Sequence, residues 1–156
     1  PGIEFVDARS GGPLLAPGDD AHEFLRSLAA RARGIPGVAA GLWRAALCGA
    51  SLSAPENGVR RCKLPRWQDV TVPELPAQIG KPGALLLHAV LLHGGIAERL
   101  LPTVLPFAGA EARTLLLVLY GRGIVEEPDG SWRVGAAGYP AARAHLAALN
   151  LPLDDF

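Results

Sequence analysis

The sequence feature that most constrains the fold is a turn-containing stretch near the carboxyl end, GRGIVEEPDGSWRV at residues 121–134. A short β run opens with Ile124, and residues 128–130 supply a proline and a glycine suited to a tight turn. Trp132 and Val134 then alternate as the chain returns. The stretch therefore predicts a β-hairpin.

Helices are predicted on both sides of this hairpin from apolar residues at helical spacing. They cover the apolar run 85–92, residues 96–105 with a kink or break at Pro102, residues 110–120, and a last segment that starts at 138–140. Three helices, a hairpin and a final helix follow one another in the order of a winged-helix domain. Residues 81–149 therefore resemble that fold.

The first 50 residues are predicted to form a small helical bundle. Asp20 and Glu23 have the spacing of a capping box, the helix after them extends to Gly34, and Pro36 opens a second helix. Each helix has one apolar stripe, which includes Phe24 and Leu28 in the first and Leu42 and Trp43 in the second.

Residues 51–80 lack a periodic pattern, and their prolines predict a connector. Four basic residues are close together in this segment, and a tryptophan, Trp67, follows them. They are the candidates for nucleic-acid contact: Arg60, Arg61, Lys63 and Arg66. A solvated connector is the simpler explanation of such a cluster.

The run LAARARGIPGVA, residues 28–39, is similar to the Gly-x-Pro turn in the helical lid of AAA-related and signal-transducing P-loop ATPases. A winged helix commonly follows the lid in that family. The resemblance implies that Pro36 packs beside the adenine of ATP or ADP in the full-length protein, with Gly34 and Ile35 shaping the turn. Gly37 replaces the larger aliphatic residue usual after the proline, and the sequence has no phosphate-binding Gly-x-x-x-x-Gly-Lys-Ser/Thr loop. An ordinary helix-breaking turn is the alternative for residues 34–36.

Together these assignments predict a mainly α fold. It consists of a helical lid-like subdomain at 1–50, a Pro-rich basic connector at 51–80 and a winged-helix domain at 81–156. Because the chain begins with Pro1 instead of Met, we expect a segment of a longer polypeptide.

The charge pattern disfavours DNA as the ligand of the predicted winged helix. The chain has 15 basic and 15 acidic residues, and residues 73–156 contain six Lys and Arg against eight Asp and Glu. The hairpin has carboxylates where a DNA-binding hairpin needs phosphate-binding cations. On the third helix the outward positions include Arg113, Thr114 and Leu117, of which only the first is basic. These three residues are predicted to form a surface that contacts protein.

The sequence contains no recognisable catalytic or metal-binding motif. Its four histidines lack the paired spacing of metal ligands, no serine lies in a Gly-x-Ser-x-Gly motif, and Cys48 and Cys62 fit two reduced thiols. We therefore expect no catalytic residue, no metal and no cofactor bound by this chain alone. Without a signal peptide or a bilayer-length apolar run, we expect a cytoplasmic location and no membrane partner.

The leading functional hypothesis is a non-catalytic regulatory region of a cytoplasmic P-loop ATPase. Its winged helix would contact the ATPase core domain of the same polypeptide or another protein. The alternative is a stand-alone winged-helix transcriptional regulator that binds DNA, and a third hypothesis is a small enzyme with a dispersed site.

Overall fold

The computed structural model describes residues 2–14 and 23–152, which form two compact units, Pro1–Val72 and Pro73–Phe156. Six α-helices and two three-stranded sheets occur among the described residues, so the fold is mixed α/β. The expectation of a mainly α chain is wrong, because several short segments without a clear periodic pattern form strands. The predicted cap at Asp20 lies outside the described residues.

The first unit combines two helices with one sheet. Its elements are β1 (Gly2–Asp7), α1 (Glu23–Ala32), α2 (Pro36–Cys48), β2 (Ser51–Leu52) and β3 (Val59–Leu64). Strand β3 lies in the middle of the sheet, parallel to β1 in the register Gly2↔Val59 to Asp7↔Leu64 and antiparallel to β2. Its burial alternates over the last three residues, since Cys62 and Leu64 are buried while Lys63 between them is exposed. Burial also raises the pKa of the Cys62 thiol by desolvation.

Residues 51–72 differ from the connector that the sequence predicted for 51–80, because they belong to the first unit and include β2 and β3. The basic side chains of β3 leave only two buried positions to indicate a strand.

Trp67 was expected in a solvated connector, but it packs against the core of the first unit. Its ring packs edge-on against Phe24, with centroids 5.4 Å apart, and Arg31 lies over it at 5.2 Å. Phe24 contacts Trp43 in the same way at 6.1 Å, so both tryptophans border one aromatic cluster.

The second unit alternates helices with short strands. Its elements are α3 (Gly80–Leu92), β4 (Ile96–Ala97), α4 (Leu101–Val104), α5 (Gly109–Gly121), β5 (Val125–Glu126), β6 (Ser131–Val134) and α6 (Tyr139–Ala148). The sheet order is β4-β6-β5, with Ile96 opposite Trp132 and Val125 opposite Val134. The predicted hairpin is thereby confirmed. The helix expected over 96–105 is instead a strand, a single 3-10 turn over Glu98–Leu100 and the short helix α4.

The core of the second unit is aliphatic and tightly enclosed. Its most buried large side chains are at most 1 % exposed and come from α3, α4, α5, α6 and the hairpin: Leu86, Leu87, Leu101, Leu116, Leu119, Ile124 and Leu146. Gly123, two residues after the last residue of α5, has φ +71°. The Gly123 N–H donates to the Tyr120 carbonyl and the Ile124 N–H donates to the Leu119 carbonyl, which closes the helix. This left-handed turn directs the chain straight into β5.

Helix α6 begins close to the base of the hairpin. A β-carbon at Gly138 would lie 2.6 Å from both the Cα and the carbonyl oxygen of Ile124, which leaves no room for a side chain. The Gly135 N–H donates to the same Ile124 carbonyl at 2.9 Å. The hairpin and the start of α6 are thus joined backbone to backbone.

Within the described ranges, no helix combines the length and the apolar character needed to cross a bilayer.

Candidate interaction surface on helix α5

Helix α5 buries one side and leaves large apolar side chains exposed on the other. Ala112, Leu116 and Leu119 face the core, following the helical period. Outside this buried side Leu117 is 53 %, Val118 48 % and Tyr120 56 % exposed. We use the name α5 surface for Arg113, Thr114, Leu117, Val118 and Tyr120. A cluster of exposed apolar residues rimmed by polar ones is typical of a binding surface.

The single basic residue of the α5 surface is engaged by a neighbouring carboxylate. Arg113 donates from its guanidinium to Glu98 Oε1 at 3.1 Å, while the indole N–H of Trp132 donates to Glu98 Oε2 at 3.4 Å. Thr114 donates its hydroxyl hydrogen to the Ala110 carbonyl oxygen within α5. Arg113 and Thr114 therefore already use hydrogen-bond donors within the protein that contacts with bases or phosphates would need.

Glu98 sets the charge of the α5 surface through its pairing with Arg113, although no sequence pattern indicated this residue. Glu98 follows β4 directly, and the pairing of β4 with β6 brings it to Trp132, 34 residues further on. The tryptophan is 4 % exposed and packs edge-on against Tyr120, with ring centroids 5.9 Å apart. The aromatic part of the α5 surface therefore rests on the hairpin.

The hairpin is acidic from the end of β5 through the loop that leads to β6. Glu126, Glu127 and Asp129 are all exposed, and Asp129 adopts a left-handed conformation at φ +56° beside Gly130. Carboxylates at this position repel a phosphate backbone. The exposed tip of the hairpin thus has the negative charge expected from its sequence, which disfavours contact with DNA.

The four basic residues predicted as nucleic-acid contacts do not form one patch. Arg61 faces Glu4 at 3.3 Å and Glu56 at 3.8 Å, and Arg66 donates to Asp69 at 2.8 Å. Arg60 and Lys63 lie on opposite faces of β3, because they are three residues apart on a strand. Carboxylates of the same unit therefore offset two of these cations, and the other two are separated.

The Gly34-Ile35-Pro36 turn joins α1 to α2. Gly34 has φ +77°, the Ile35 N–H donates to the Ala32 carbonyl at 2.9 Å, and Pro36 is the first residue of α2. Gly34 and Pro36 are exposed, whereas Ile35 is half-buried. This geometry agrees with a short turn between two helices, and a contact between Pro36 and a nucleotide stays a prediction.

A polar cavity of about 380 Å³ lies in the first unit, beside the ends of β1 and β3. Its charged lining consists of Asp7, Arg9, Glu23 and Arg66, so opposite charges are equal in number. Asp7 also accepts hydrogen bonds from the backbone N–H groups of Arg9 and Ser10. This lining favours neither an anionic nor a cationic ligand. Among the described residues, no group of His, Cys, Asp or Glu side chains has the arrangement of a metal site.

Comparison with models of protein families, with curated proteins and with solved structures gives no match to this chain. Its function is therefore inferred from its own residues.

Proposed function

We propose that the second unit is a winged-helix domain that binds protein through the α5 surface. The order α3-β4-α4-α5-β5-β6 and the sheet order β4-β6-β5 support the winged-helix assignment. In this fold α5 takes the position of the helix that DNA-binding members insert into the major groove. The observation that carries the proposal is the exposure of Leu117, Val118 and Tyr120 on that helix, next to an arginine already paired with Glu98.

Protein suits this surface better than DNA for reasons of charge. Duplex binding needs several phosphate contacts, mostly from Lys, Arg and backbone N–H groups, and base recognition needs polar side chains on the inserted helix. The α5 surface has one arginine, and the hairpin tip adds carboxylates. Apolar and aromatic side chains with few charges are instead typical of the centre of a protein interface.

The wider proposal is that the chain is a regulatory, non-catalytic region of a cytoplasmic P-loop ATPase. The helices α1 and α2, joined by the Gly34–Pro36 turn, support the resemblance to the lid of that family. The nucleotide, ATP or ADP, would be held mainly by the ATPase core, with Pro36 as this chain's contribution. The partner of the α5 surface is then that core, in the same polypeptide or in another.

Photo-crosslinking from the α5 surface tests this partner. A photoreactive phenylalanine derivative replaces Leu117 in the longer polypeptide that the proposal implies, and Leu92, which is 54 % exposed on α3, provides the matched control position. We expect crosslinks from position 117 to peptides of the ATPase core, with a yield that changes between ATP and ADP, and few from position 92. Equal yields from both positions would contradict an α5 interface.

DNA binding is tested separately by fluorescence anisotropy with a mixed-sequence duplex. We expect weak binding at physiological salt, and any binding at low salt should fall when Arg60, Arg61, Lys63 and Arg66 are changed to Ala. Submicromolar binding that survives those changes and disappears in Arg113→Ala would replace the protein-binding proposal with a DNA-binding regulator.

A further inference from the structure

The second unit contains an apolar cavity of about 460 Å³ that shares no residue with the α5 surface. It lies against the start of α3 and the end of α6, with Ile79, Leu85, Leu149 and Leu151 among its apolar lining residues. Ligand-binding cavities in proteins commonly have volumes of about 300–1,000 Å³. The cavity is therefore large enough for a small molecule.

One wall of this cavity is formed where α6 ends and the chain folds back. Asn150 has φ +54°, and the Leu151 N–H donates to the Leu146 carbonyl at 3.1 Å, which closes the helix with a left-handed turn. The following residue is tied to α3, because His88 donates from Nε2 to the Pro152 carbonyl oxygen at 2.7 Å. The position of Leu151 in the wall is thus set by hydrogen bonds on both sides of it.

The polar side chains known to line the cavity are able to donate to an anion. They belong to Lys81 and His145, and among the residues that the structure describes no acidic side chain lines it. The Nε2 atom of His145 is buried and has no hydrogen-bond partner among the described residues. Because Nε2 is enclosed by protein atoms, the exposed Lys81 is the cation of the described lining that a ligand in the cavity can reach directly.

We propose that this cavity binds a small amphiphile that consists of an alkyl chain and a carboxylate. The alkyl chain packs against Ile79, Leu85 and Leu149, and the carboxylate accepts a hydrogen bond from the Lys81 ammonium. The charge complementarity favours this occupant over an uncharged apolar one. A carboxylate would offset the ammonium charge.

Decanoate is a suitable probe, used below its micelle concentration in isothermal titration calorimetry with the 156-residue protein. We expect it to bind more tightly than decan-1-ol, which has the same chain without the charge. Lys81→Gln should weaken decanoate binding by about tenfold and leave decan-1-ol unchanged, because only the charge-assisted contact is lost. The control Lys63→Gln, on β3 of the first unit, should leave both affinities unchanged.

Ala77 lines the cavity and is exposed, so Ala77→Phe reduces the cavity volume without disturbing the core. We expect this variant to retain the wild-type melting curve by circular dichroism and to lose decanoate binding. Amide chemical shifts of the wild type give a second readout, since decanoate should move those of Gly80, Ala84 and Leu151 most. No binding by the wild type at millimolar decanoate, equal binding by Ala77→Phe, or shifts centred elsewhere would each overturn the proposal.

Discussion

Glu98 shows how one side chain can determine what a surface is able to bind. It accepts hydrogen bonds from Arg113 and Trp132 together, and thereby offsets the only positive charge on the α5 surface. The ion pair itself contributes little to stability, because the Arg113 side chain is 64 % exposed and water screens the interaction. Its main effect is on the charge of the α5 surface.

A double-mutant cycle measures this ion pair. Glu98→Gln keeps an acceptor for the Trp132 indole but removes the charge, and Arg113→Gln removes the opposite charge. We expect a coupling free energy below about 1 kcal/mol in urea unfolding, as for other exposed pairs. A coupling of about 3 kcal/mol or more would mean that the pair is shielded from water.

Truncation of Trp67 tests its position in the aromatic cluster of the first unit. Trp67 and Trp43 are both half-buried and both contact Phe24 edge-on. We therefore expect Trp67→Ala and Trp43→Ala to lower the free energy of unfolding by similar amounts, about 2–4 kcal/mol each. Leu52→Ala, at a side chain 52 % exposed, is the control and should change it by less than about 0.5 kcal/mol. If Trp67→Ala changed the free energy of unfolding as little as the control does, Trp67 would lie in a solvated connector, as the sequence predicted.

At the scale of elements, the turn from α5 into β5 depends on two glycines with opposite requirements. Gly123 has φ +71°, whereas Gly121 is the last residue of α5 and a β-carbon there would meet no atom within 4 Å. Gly123→Ala should lower the free energy of unfolding by about 1–2 kcal/mol, because the left-handed conformation is unfavourable for alanine. Gly121→Ala should raise it by up to about 1 kcal/mol through helix propensity. Urea melts of the two variants measure the sign of each change in the free energy of unfolding. Equal changes in the two variants would contradict the turn geometry.

The elements differ in how far the sequence predicted them. The hairpin and α5 were predictable, because turn residues and helical spacing are local signals. Strand β3 was not, since its parallel partner β1 is more than 50 residues away and its two adjacent arginines and Lys63 resemble a basic cluster. The two-residue strand β4 was assigned to a helix, because Ile96 fits the apolar spacing of the following residues and only its pairing with Trp132 makes it a strand. Leu117 was predictable as an exposed apolar residue, but Glu98 was not.

For the whole molecule, we expect the second unit to fold without the first. Residues 73–156 form one of the two compact units, and they contain a core of 17 buried residues of their own. A separately expressed chain of residues 73–156 should show a helical circular dichroism spectrum and a single cooperative thermal transition. Leu116→Ala, at a fully buried α5 position, is the matched variant and should lower the free energy of unfolding by about 2–5 kcal/mol. A non-cooperative transition in the unmodified chain would show that the second unit depends on the first.

The close approach of Gly138 to Ile124 has a consequence for hydrogen exchange. Because no side chain separates the start of α6 from the base of the hairpin, and the Gly135 N–H donates to the Ile124 carbonyl, the Gly135 amide can exchange with solvent only when these backbones separate. The tip around Asp129 has no such restraint from α6 and can open by itself. Amide protection should therefore decrease from the base of the hairpin to its tip, and a partner that covers the acidic tip would slow exchange there while the base stays unchanged.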